Sequence, residues 1–148
     1  MDHRLTMQEA SGNVLVGIWR LVSFDVEEQA KAKRKPAFGI TPQGRLVIAS
    51  NGIMMALLTA EDRPAPQNRE DRAKAFDTMI AYSGRYRIDG EQLITDVDLS
   101  WNEAWTGTAQ VRFYRFIGAH LQLISAWAPS PVDPNRITRG ILEWEREA

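Results

Sequence analysis

Three turn dipeptides constrain this chain more than any other feature. Asn51-Gly52, Asp89-Gly90 and Gly118-Ala119 each join two short runs rich in β-branched and aromatic residues. Asn-Gly and Asp-Gly tolerate the positive φ angles of tight hairpins, so each pair of flanking runs reads as two antiparallel strands. The runs are Arg45 to Ser50 and Ile53 to Thr59, Tyr82 to Ile88 and Gln92 to Ser100, then Thr108 to Ile117 and His120 to Trp127. Trp101 to Gly107 makes a wider turn, and Pro129, Pro131 and Pro134 mark a loop before a last strand, Ile137 to Arg146. The first strand runs from about Val14 to Val26, with Trp19, Leu21 and Ser23 on one face and Ile18, Arg20, Val22 and Phe24 on the other.

One helix interrupts the meander. Asn68 is placed to cap it, Glu70 and Asp71 fall where the helix dipole favours anions, and Ala73, Phe76, Met79 and Ile80 recur at helical spacing. That pattern predicts an amphipathic helix over Arg69 to Ala81, after the third strand. Between the first two strands, Glu27 to Gln43 reads as a long charged loop carrying Lys31, Lys33, Arg34 and Lys35. The fold class that follows is all-β, an up-and-down antiparallel barrel of about eight strands, because a meander of that size removes its exposed edges by closing. Met1 to Gly12 is a polar lead with no clear period.

Composition narrows function mainly by exclusion. At 148 residues one domain is expected, and a net charge of −1 gives no electrostatic reason for a nucleic-acid partner. There is no cysteine, which removes disulfides and thiolate chemistry and suits a reducing, cytoplasmic setting. No run has the length of a membrane span. His3 and His120 lie in the polar lead and beside a turn, without a triad or metal partner, and neither a G-x-G-x-x-G nor a Walker loop is present. No metal and no cofactor is therefore expected.

Gly17-x-Trp19 at the start and Trp144-x-Arg146 at the end resemble the first and last strands of lipocalin and calycin barrels. That resemblance implies that the Trp plugs one end and the Arg lies across it. Further motifs in the same order are Pro36-Ala-Phe-Gly39, Gly44-Arg-Leu-Val-Ile48, Gly52-Ile-Met54, Tyr82-Ser-Gly84-Arg-Tyr86, Val97-x-x-Ser100, Trp105-x-Gly107 and Gln110-x-Arg112. Together they resemble the bacterial and fungal lipocalin-like domain family, over nearly all the chain beyond the polar lead. The resemblance implies a small intracellular barrel with a central pocket; most such proteins have no assigned function, and some fungal relatives sit among tailoring proteins of polyketide pathways. Where the family commonly carries histidines before the Val-x-x-Ser step, this chain has Thr95 and Asp96.

The candidate site follows from strand faces. From Gln110 to Ile117 either Gln110, Arg112, Tyr114 and Phe116 point inward or Val111, Phe113, Arg115 and Ile117 do. Apolarity favours the second set, and the resemblance favours the first, which we take. A guanidinium inside an apolar barrel needs a carboxylate (Asp96, Asp98 or Glu103), water or an anionic ligand. Tyr82 and Tyr86 share an interior face, and a phenol beside Arg112 is suited to donate to a developing oxyanion. The ligand-binding candidates are Arg112, Gln110, Tyr114, Tyr86, Tyr82, Trp127, Met54 and Thr95. The candidates for catalysis are Asp96 or Asp98 as base and Tyr86 as donor. Three functions fit: binding a small hydrophobic or aromatic molecule with a carboxylate or carbonyl group, a cofactor-free isomerase, cyclase or lyase acting next to a carbonyl, or an interaction module with a filled barrel. Trp101 and Trp105 are expected to cover a barrel end or to serve a homodimer surface.

Overall fold

The computed structural model describes residues 14–147. Its strands are β1 (Gly17–Glu28), β2 (Lys33–Pro36), β3 (Gln43–Ile48), β4 (Ile53–Thr59), β5 (Met79–Asp89), β6 (Gln92–Ser100), β7 (Ala109–Ile117), β8 (His120–Ile124), β9 (Ala128–Pro129) and β10 (Ile137–Arg146), with helix α1 (Arg69–Asp77) between β4 and β5. The sheet order is β2-β1-β3-β4-β5-β6-β7-β8-β10-β9, and β1 also pairs with β10. That last pairing closes an eight-stranded antiparallel barrel, with β2 and β9 as short additions at its rim. Among the described residues no helix is long and apolar enough to cross a membrane.

One end of the barrel is plugged. Trp19 is fully buried, its indole Nε1 donates to the Leu15 carbonyl at 2.9 Å, and the Arg146 guanidinium lies 4.2 Å from its ring centroid. Arg146 Nη1 also donates to the Val16 carbonyl at 2.9 Å, so one side chain ties the last strand to the approach to the first. Gly17 is required there. Its φ is +149°, and a Cβ would stand 2.6 Å from Arg146 Nη1. Ile48, Met54, Leu93, Leu121 and Trp144 are buried in the same core cluster as Trp19.

Two bulges correct the simple alternation. In β1 the register with β10 shifts between Leu21 and Ser23, so Trp19, Leu21, Phe24 and Val26 all face the interior although strict alternation puts Phe24 opposite Trp19. In β6, Val97 pairs with Gly84 but Leu99 pairs with Ser83, leaving Asp98 as the extra residue. The chain there approaches so closely that a Cβ on Gly84 would lie 1.9 Å from the Asp96 carbonyl oxygen.

The helix is shorter than its apolar spacing predicts. Asn68 does cap it, accepting from the Asp71 N–H at 2.8 Å, but it stops at Asp77, and the Thr78 hydroxyl donates to the Lys74 carbonyl at 2.8 Å. Met79 and Ile80 belong to β5, paired with Thr59 and Leu58. Their apolarity serves the inward period Ile80, Tyr82, Gly84, which the helical period happens to overlap. No residue of α1 is buried, so the helix lacks the buried apolar face that an amphipathic reading of Arg69 to Ala81 implies. Likewise the charged segment Glu27 to Gln43 is not wholly loop. β1 runs on to Glu28, and Lys33–Pro36 pairs with it as β2.

Substituting Gly84→Ala is expected to destabilise the barrel by about 1–3 kcal/mol, the usual cost of forcing an extra carbon into a packed position. Urea unfolding checks this; a variant as stable as the parent would show that the two strands separate freely at the bulge.

Candidate functional site

The other end of the barrel is hollow. A cavity of about 610 Å³ extends down from the mouth, walled by Phe24, Leu58, Ile80, Leu123 and Leu142 and floored by Leu46 and Trp144. The interior is therefore not filled. Ala56 and Gly140 border the cavity, and a Cβ on Gly140 would lie 3.3 Å from the Phe24 ring. A hollow of this size, mostly apolar with a few polar groups, matches ordinary small-ligand pockets.

The polar groups come from β5, β7 and β10. On β7 the face Gln110, Arg112, Tyr114 and Phe116 is the inner one. Gln110 and Arg112 border the cavity, Tyr114 packs against the core, and the Phe116 ring lies 6.3 Å from that of Trp19. Arg115, on the outer face, instead donates to Gln122 Oε1 at 2.9 Å. Arg112 forms no ion pair among the described residues. Its Nη1 donates to the Val111 carbonyl at 2.9 Å and its Nη2 to Gln110 Oε1 at 3.1 Å. The Gln110 amide in turn donates to Thr108 Oγ1 at 3.1 Å, which fixes the side chain that orients the guanidinium. The remaining guanidinium donors have no protein acceptor among the described residues, and a cation in this position attracts an acceptor oxygen.

Tyr82 borders the same cavity. Its hydroxyl makes no hydrogen bond among the described residues, and its ring centroid is 5.4 Å from that of Trp105. Burial pushes the Tyr82 phenol above the ordinary tyrosine range, with the positive charge of Arg112 opposing part of that shift. The phenol is thus a neutral donor at neutral pH. Trp144 Nε1 is a buried donor without a partner among the described residues. Arg112, Tyr82 and Trp144 each offer an N–H or O–H group to the site.

Several sequence candidates stand elsewhere. Asp96 and Asp98 are exposed, and Asp96 is paired with Arg87 at 2.9 Å on the outer surface. The bulge at Asp98 turns Leu99 outward, to 67% exposure, and brings no carboxylate inward. Tyr86 donates to the Ala49 carbonyl at 2.6 Å and Tyr114 to the Gly90 carbonyl at 3.3 Å, both toward the plugged end. Met54 and Thr95 are buried in packed core and do not border the cavity. Trp127 lies beyond the end of β8, under the Arg139 guanidinium at 4.3 Å, and is outside the cavity as well. His120 sits on the outer surface between Glu143, at 2.8 Å from Nδ1, and Glu145, at 3.4 Å from Nε2; His3 lies outside the described residues.

Sequence reasoning missed Phe24, hidden by the bulge in β1, and Trp144, read only as part of a terminal motif. Trp105, which the sequence assigns to a barrel end or a dimer surface, borders the cavity mouth. Its ring centroid is 5.0 Å from that of Trp101, which is 5.7 Å from that of Phe76 on α1, so an aromatic series runs from the helix to Tyr82. A family profile described as a lipocalin-like domain matches residues 16–147. No curated protein matches the chain.

In an alkaline ultraviolet titration of the three tyrosines, Tyr82→Phe is expected to remove a phenol that ionises later than free tyrosine. Loss of an early-ionising phenol instead would mean that the hydroxyl reaches bulk water.

Proposed function

The chain belongs to the lipocalin-like domain family, and from that premise we propose that it binds a small apolar or aromatic molecule through a carboxylate or carbonyl oxygen. The observation that carries this reading is Arg112, a guanidinium bordering an apolar hollow without an ion-pair partner among the described residues. Leaving such a charge uncompensated is costly, and a ligand oxygen offsets that cost where no side-chain carboxylate does. The planar fork of Arg suits two acceptor oxygens, Gln110 holds it in place, and the protonated Tyr82 hydroxyl supplies a further donor. Phe24, Leu123, Leu142 and Trp105 provide apolar and aromatic contact for the remainder of the molecule.

Binding is favoured over an isomerase, cyclase or lyase by what the wall lacks. Proton removal next to a carbonyl needs a positioned base, and among the described residues no Asp, Glu or His borders the cavity. The hollow interior likewise speaks against an interaction module with a filled barrel. The lack of cysteine supports a cytoplasmic setting for the protein.

Native mass spectrometry of the purified protein is expected to detect a retained acid or carbonyl compound. Arg112→Ala is expected to weaken a carboxylic acid ligand about ten- to hundredfold, the range for a lost hydrogen bond to a charged group, while the corresponding neutral hydrocarbon binds as before. Equal loss of both ligands, or of neither, in calorimetric titrations would remove Arg112 from the role.

A further inference from the structure

Beside the mouth lies a second hollow of about 450 Å³ that shares Val26, Pro131 and Thr138 with the main cavity. Its border is more strongly charged. Lys33 and Lys35 are brought to it by the pairing of β2 with the extension of β1, and Lys31, in the turn before β2, borders it as well. Lys35 lies across from Val26 and Lys33 across from Glu28, and paired residues project to the same face of a sheet. Since Val26 lines the main cavity, Lys33 and Lys35 stand on its side of the β1–β2 ribbon. Arg34, between them, is opposite Glu27 and lies 3.6 Å from that carboxylate on the other face.

The carboxylate balance in this vestibule is unusual. Glu28 is the acidic residue that borders it, and both its oxygens are taken by Arg136, at 3.1 Å from Nε and 3.0 Å from Nη2. Lys31, Lys33 and Lys35 form no ion pair among the described residues. Three ammonium groups thus share the border with a single carboxylate that is already matched by an arginine. A chain of net charge −1 has concentrated an excess of positive charge at the one place where a molecule seated in the barrel would emerge.

The geometry points to a ligand with two polar ends: an acid or carbonyl group held at Arg112, an apolar body along the cavity, and a second, anionic oxygen group standing among Lys31, Lys33 and Lys35. This rests on the proposed role of the cavity and adds the chemistry of the ligand's outer end. Flexible ammonium groups accommodate carboxylate or phosphate alike, unlike the directed fork at Arg112. The outer anion stays in contact with water, so its attraction costs little desolvation and weakens as salt is added.

Decanoate and decanedioate test this, because they share an apolar chain and differ by one terminal carboxylate. Calorimetric titration at low ionic strength is expected to show decanedioate binding about tenfold more tightly than decanoate, three exposed charge contacts being worth roughly that much together. The triple substitution Lys31→Gln, Lys33→Gln and Lys35→Gln is expected to abolish the preference while leaving decanoate binding intact, and the corresponding triple change to Arg to keep it. Added salt should shrink the preference in the parent protein and in the arginine variant alike. Equal affinity for the two acids in the parent, or a preference that survives the glutamine substitutions, would overturn the inference. The ratio of the two affinities judges the lysines, whereas the response of decanoate itself to Arg112→Ala judges the cavity, so the two readings fail separately.

Discussion

The pairing of the first barrel strand with the last is the constraint on which the rest of this molecule depends. β1 and β10 are far apart in sequence, and their ladder leaves neither barrel edge unpaired. Closure of this kind creates an inside, and the register of the ladder decides what the inside contains. Trp19 meets Arg146, Leu21 meets Trp144, and after one extra residue Phe24 meets Leu142. The first of these pairs belongs to the plug and the last to the cavity wall. One bulge therefore hands a single strand from one role to the other.

The barrel changes along its length from filled to hollow. Trp19, Ile48 and Met54 are buried near the plug, whereas Phe24, Ala56 and Gly140 border the hollow toward the mouth. The polar groups follow the same gradient. Tyr86 and Tyr114, near the plug, spend their hydroxyls on backbone carbonyls and act as structural ties. Tyr82, on the same strand as Tyr86 but nearer the mouth, has no such partner among the described residues. Two tyrosines of one strand face thus differ in chemistry through depth alone.

What was legible in the sequence was mostly backbone. The hairpin dipeptides placed β3 to β8, and Ile53–Thr59, Gln92–Ser100 and Ile137–Arg146 run as their patterns predict. Side-chain direction was readable only while alternation held. It failed at Val22 and Asp98, where an added residue reverses which face is inside, and no pattern in a single sequence marks such an insertion. The helix misled for a different reason: Met79 and Ile80 satisfy both a helical and a strand period, and pairing with Thr59 and Leu58 decides between them. For the site, Arg112 was placed inward by the resemblance, against the apolarity of the opposite face of a strand that also carries Arg115. Its lack of a carboxylate partner was not legible, since that depends on Asp96 finding Arg87 across the outer surface.

The plug of Trp19 beneath Arg146 has a consequence for traffic through the barrel. With one end stopped by packed indoles and the other open, there is no through-passage, and a guest must leave by the way it came. A guest with two unlike ends would thus place one of them toward Arg112 and the other toward the mouth, which makes the direction of insertion, and not only the fit, part of what the barrel can recognise.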